Sequence, residues 1–155
     1  MPSSSPQEVE VLLPLLVALG TILATIAIHG LALIAVINFV HREYLLGRTG
    51  IRFWRDLAIV AAATQLALVA HLAEITIWAT VLDLCGEFNH LAAAFYHSAM
   101  NYTSLGYGDV VMSASWKLLG PLEAANGMLM FGISTAMIFA VIQRLVQPRF
   151  GHRHE

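Results

Sequence analysis

The sequence predicts an all-α membrane protein. It has three transmembrane helices per chain and a short re-entrant helix, followed by a loop, between the second and third. Three observations lead there. The 155 residues are 58% apolar and only 12% charged, with a mean hydropathy of +0.72, whereas a soluble domain carries about twice that charge fraction. Three stretches reach the roughly 20 apolar residues that a helix needs to cross the hydrocarbon core. A fourth apolar stretch, at 88–102, is only about 15 residues long, which suits a helix that enters the membrane and stops.

Taken in order, residues 1–10 are rich in Ser and Pro, acidic, and free of Lys and Arg. They lack the basic start of a signal peptide, and the apolar run behind them is too long for one. We expect a disordered extracytoplasmic N-terminus that stays in the mature protein. Residues 11–40 contain no charged side chain and only His29 and Asn38 as strongly polar interruptions; they form the first transmembrane helix. Residues 41–56 mix Arg with Tyr44, Ile51, Phe53 and Trp54, the composition of a cytoplasmic linker lying at the interface with its arginines on headgroups. The second span, 57–82, is interrupted by Gln65, His71 and Glu74. The third, 118–146, carries Glu123 and Asn126, with Pro121 near its start, where proline is tolerated. Residues 147–155 form a cytoplasmic tail containing His152 and His154; a charged, unstructured end is a simpler reading of it than a metal site.

Orientation follows from the basic residues. Arg42, Arg48, Arg52 and Arg55 lie after the first span and Arg144, Arg149 and Arg153 after the last, leaving Lys117 alone on the other side. By the positive-inside tendency, the N-terminus and the loop after the short helix face out, and the C-terminus is cytoplasmic. An odd number of spans requires the same. The single cysteine, Cys85, allows no internal disulfide and is expected to be free.

Residues 103–109 read Thr-Ser-Leu-Gly-Tyr-Gly-Asp. Two glycines one residue apart, directly behind a half-length helix, let the backbone aim successive carbonyls at a narrow axis. Irregular backbone at membrane depth survives only where protein buries it or where it lines a water-filled path. The stretch 95–109, FYHSAMNYTSLGYGD, resembles the pore helix and selectivity filter of tetrameric potassium channels, whose signature is Thr-Thr-Val-Gly-Tyr-Gly-Asp. The resemblance covers about residues 56–146, as a pore domain (57–146) of outer helix 57–82, pore helix 88–102, filter 103–108 and inner helix 118–146. It leaves 11–40 as an additional helix on a small two-helix channel.

That resemblance implies the site, by a mechanism known from the family rather than read from this chain. Thr103, Ser104, Leu105, Gly106, Tyr107 and Gly108 would form the filter. The carbonyls of Ser104, Leu105, Gly106 and Tyr107 would replace the water shell of K+, with the Ser104 hydroxyl closing the inner site. Ser104 stands for the usual Thr and Leu105 for Val or Ile, and both keep the chemical type. Met100 takes a position where relatives often have a Glu paired with the filter aspartate, here Asp109. Tyr96 and His97 take the places of a tryptophan pair. They either support the filter by hydrogen bonds to Tyr107 or Asp109, or pack at the outer interface as amphipathic rings do. Gly127 and Gly132 on the inner helix are hinge candidates, with close helix packing the alternative reading. Ser134, Ile138 and Ile142 are expected to line the inner cavity.

Ionisable groups inside a span usually face protein or water. His71 and Glu74, three residues apart, share a helix face and can pair. A network of Glu74, His71 and Asn126 behind the pore helix is geometrically open. It reads as a structural contact, with His71 as a proton sensor the competing version. His29, with Thr21 and Thr25 on its face, reads as a packing contact. The Asn101-Tyr102-Thr103 glycosylation pattern sits against the loop and is set aside.

The expected function is a potassium-selective channel conducting K+ passively, as a homotetramer in a lipid bilayer, since one loop cannot surround an ion. The membrane is the plasma or inner membrane of the cell. No cofactor is expected beyond K+ as the permeant ion, and no nucleic acid or small-molecule substrate. A weakly selective K+/Na+ channel and a non-conducting channel-like protein of different stoichiometry are the alternatives. An enzyme has no support, because no nucleophile, base and orienting group cluster at motif spacing.

Overall fold

The computed structural model describes residues 11–50 and 52–150. The expected N-terminal segment 1–10, Ile51 of the linker, and His152 and His154 of the tail lie outside the described residues. The described chain is all-helical, with four helices: α1 (Leu12–Leu45), α2 (Phe53–Leu84), α3 (Leu91–Tyr102) and α4 (Leu119–Phe150). The apolar, span-length helices are α1, α2 and the stretch Leu119–Gln147 of α4, which makes this a multi-pass membrane protein. At about 1.5 Å per residue, the 12 residues of α3 reach roughly 18 Å, well short of a hydrocarbon core of about 30 Å.

The helices run past the apolar limits read from the sequence. α1 continues through 41–45 and α2 begins at Phe53, so less of 41–56 remains as linker than expected. Composition marks where lipid ends. A helix ends where its backbone finds a cap, and that takes a particular geometry. α2 stops at Gly86 with φ +77°. There the Gly86 N–H donates to the Asp83 carbonyl at 3.0 Å and the Glu87 N–H to the Leu82 carbonyl at 3.3 Å, the paired bonds of a left-handed C-terminal cap. α1 ends at Gly47 by the same pairing. α3 starts at Leu91 rather than 88, with His90 extended at its N-cap.

The chain forms two compact units. The first comprises the described residues 11–26 and 73–129. Trp78, Leu82, Tyr102 and Leu119 are fully buried there. α4 approaches the end of α3 at Gly127, where an added Cβ would overlap the Tyr102 carbonyl and lie 3.1 Å from its ring. The second unit comprises the described residues 27–50, 52–72 and 130–150. Its core joins Val36 and Val40 of α1, Ile59 and Ala63 of α2, and Val141 and Leu145 of α4, with Phe39, Val60 and Met137 packed against it. The additional first helix is therefore built into that core.

Two outcomes follow. Gly127→Ala should lower the thermal midpoint of the detergent-solubilised protein by an overpacking cost of about 1–3 kcal/mol, more than the up to ~1 kcal/mol that alanine adds to a helix. Gly132→Ala, with nothing within 4 Å of the added Cβ, should be tolerated. Cys85 is a free, half-buried thiol. Burial, and secondarily the Glu87 carboxylate, push its pKa above the usual thiol range. Because the thiolate is the nucleophile, iodoacetamide at pH 8 should label Cys85 more slowly than glutathione; equal rates would contradict this environment.

Candidate ion-conducting loop

The first unit holds the loop that follows α3. Thr103 caps the helix in a right-handed conformation, and its hydroxyl donates to the Ala99 carbonyl at 2.7 Å. The next turn is tied back to the helix. The Ser104 N–H donates to the Asn101 carbonyl at 2.8 Å, and the Leu105 and Gly106 N–H groups share the Met100 carbonyl at 3.0 and 3.2 Å. Beyond that point, Ser104, Gly106 and Gly108 have φ of 58°, 54° and 71°, while Leu105 and Tyr107 do not have positive φ. The sign of φ thus alternates through five consecutive residues. Ser104 is the only described non-glycine residue with positive φ, a conformation that costs an ordinary residue about 1–2 kcal/mol.

The loop lies open. Residues 103–109 are exposed throughout, with Tyr107 at 71% and Leu105 at 57%. Beside it, His97, Met100, Asn101, Asp109, Met112 and Lys117 help to line a cavity of about 400 Å³. The Tyr96 hydroxyl donates to Asp109 Oδ2 at 2.9 Å, and that bond holds the phenol above its ordinary pKa. His97 is buried and pairs with the Asn101 side chain at 2.9 Å. Its ring lies 5.1 Å from that of Phe88. Burial lowers the His97 pKa, partly opposed by Asp109 and Glu87. Further along, Glu87 accepts from both the backbone and the hydroxyl of Ser113, at 2.8 and 2.6 Å.

Buried polar bonds hold α3 in place. The Tyr102 hydroxyl donates to Glu74 Oε2, and Ser98 Oγ meets Glu123 Oε1. All four side chains are buried. Ser98 Oγ also reaches the Ile75 carbonyl at 2.9 Å. A hydroxyl has one proton, so both Ser98 bonds form together when Glu123 holds a proton and donates back. Asn126 donates to Thr25 Oγ1 at 2.9 Å. Sequence reasoning singled out Glu74, Glu123 and Asn126 but not Ser98 and Tyr102. The signal was available: buried acids in spans need donors, and these two hydroxyls sit four apart on one face of the short helix.

The second unit holds the remaining candidates. His71 Nε2 lies 3.0 Å from Ser134 Oγ, which lies 3.2 Å from His29 Nε2. Ser134 is buried, Ile138 half-buried, and Ile142 40% exposed. A spacing of four residues turns about 40° past a full rotation, so these three positions drift around the helix and differ in what they face.

Tyr102→Phe removes the donor to Glu74 and leaves a fully buried carboxylate short of a partner. It should cost about 1–3 kcal/mol of stability, read as a lower melting midpoint. Adding Glu74→Gln should recover part of the loss; a purely additive double variant would break the assignment.

Residues 70–144 match the family model described as an ion channel. That stretch includes α3, its loop and most of α4. No curated protein and no solved structure matches the chain. Residues 70–144 of this multi-pass membrane chain are thus similar to the ion-channel family.

Proposed function

We propose that the protein is a potassium-selective channel that conducts K+ passively as a homotetramer. In this reading α3 is a re-entrant pore helix, the TSLGYG segment is the filter, and α4 is the inner helix. The observation that carries the reading is the alternation of φ sign at Ser104, Gly106 and Gly108, directly behind a helix too short to cross the membrane. Residues alternating between right- and left-handed conformations point successive peptide N–H groups to one side and so their carbonyls to the other. A row of carbonyls along one edge is what a filter needs to replace the ion's water shell. One exposed loop cannot surround an ion, and four loops about an axis can.

Ser104 and Leu105 keep a hydroxyl at the inner end and an apolar side chain behind the backbone. Tyr96 tethers Asp109 at the outer end of the loop, a support that fixes the filter's mouth. K+ is the permeant ion, and the reading needs no cofactor. The seven arginines on one side support a cytoplasmic C-terminus by the positive-inside tendency, and in this reading the plasma or inner membrane of the cell holds the channel.

Flux from liposomes tests this. Under a K+ gradient the protein should carry K+ well above Na+ and be blocked by Ba2+. Equal K+ and Na+ flux would leave a weakly selective cation channel on the same architecture. No flux from a dimer or trimer, by mass measurement in lipid, would leave a non-conducting relative. Gly106→Ala should abolish selective flux, because a side chain at φ +54° strains each loop by about 1–2 kcal/mol.

A further inference from the structure

In the second unit, α1 and α4 run parallel. Contacts advance in the same order along both, from His29 with Ser134 to Tyr44 with Arg144. Between those levels lies an apolar groove of about 340 Å³, walled by Leu33, Ile37 and Val40 on one helix and Ile133, Met137 and Ala140 on the other. Each set recurs at i, i+4 and i+7, which is a single helix face. One further turn brings both faces to polar residues, Tyr44 on α1 and Arg144 on α4. Arg144 borders the groove and also a second cavity, which Gln143 and Gln147 line as well. The groove is therefore hydrocarbon along its length and polar at its mouth.

Among the described residues, no acidic group compensates the charge at the mouth. The Arg144 guanidinium stacks on the Tyr44 ring, 5.0 Å from its centre, and no carboxylate lies within ion-pair distance among the described residues. The acidic residues of the neighbouring linker are engaged elsewhere. Glu43 pairs with Arg48 at 3.7 Å, and Asp56 accepts the Gly50 N–H at 3.0 Å. A phospholipid brings a free phosphate and a matching acyl chain. A guanidinium held over an aromatic ring keeps N–H groups for phosphate oxygens.

We propose that this groove binds one anionic phospholipid per chain, its acyl chain between α1 and α4 and its phosphate on Arg144. The anionic leaflet and the basic ends of these helices lie on one side of the membrane in the orientation proposed above.

Native mass spectrometry of the intact protein tests the proposal, with phosphatidylglycerol, phosphatidylcholine and glycerol phosphate as probes. Phosphatidylglycerol should be retained at one per chain in preference to phosphatidylcholine, and glycerol phosphate should not bind. Arg144→Gln should weaken phosphatidylglycerol roughly fivefold, the loss of about one interfacial charge. Arg144→Lys should keep the preference. Ala140→Trp, which fills the groove, should remove the bound lipid, with helicity checked by circular dichroism. Equal retention of both lipids, an unchanged Arg144→Gln, or an Ala140→Trp that still holds lipid would overturn the proposal. So would an Ala140→Trp that changes the mass of the assembly without changing its lipid count, which would mark the groove as a contact between copies. K+ flux on the same preparations reports separately on the channel reading.

Discussion

The arrangement of the first unit depends on two buried acidic side chains that need hydrogen-bond partners. An acid inside a membrane span is costly unless it is paired, and Glu74 on α2 and Glu123 on α4 are both fully buried. Tyr102 and Ser98, one turn apart on α3, supply the hydroxyls. The short helix is thus held from both sides by bonds worth more in a low-dielectric interior than at a surface. Gly127 completes the seat, because only a residue without Cβ lets α4 come up to the Tyr102 carbonyl. With the end of α3 fixed, the loop begins at a defined place.

What the loop does from there is a backbone matter. Two N–H groups returned to the Met100 carbonyl turn the chain away from the helix, and alternating φ then carries it on as neither helix nor strand. Such a segment makes none of the regular carbonyl bonds of a helix or strand. In a membrane such backbone is stable only beside protein or a water-filled path, and this is the ground of the channel reading proposed above. The ion-channel family match covers this region; potassium selectivity and the fourfold ring are our reading of its backbone.

The second unit gives α1 a structural role. Its side chains supply part of the core with α2 and α4, and its His29 and Tyr44 meet Ser134 and Arg144. Movement of the C-terminal half of α4 would therefore disturb contacts with α1. The lipid groove proposed between these two helices lies at the same place, so an occupant there would bear directly on that half of α4.

Composition and spacing were enough to read three spans, a half-length helix and the Gly-Tyr-Gly loop, since lipid exposure, helix length and glycine requirements are local properties of the chain. The same holds for His71, Glu74, Glu123 and Asn126 as costly residues that must find partners. Which partners they found was not legible. Tyr102, Ser98, Ser134 and Thr25 lie between 25 and 101 residues away from the groups they bond, and only helix packing decides such meetings. The helix ends were equally out of reach, because caps at Gly47 and Gly86 rather than the hydrocarbon boundary stop α1 and α2. The kinds of segment were written along the chain, while the meetings between them came from tertiary packing, because a buried polar group takes whatever partner the fold brings within hydrogen-bond reach.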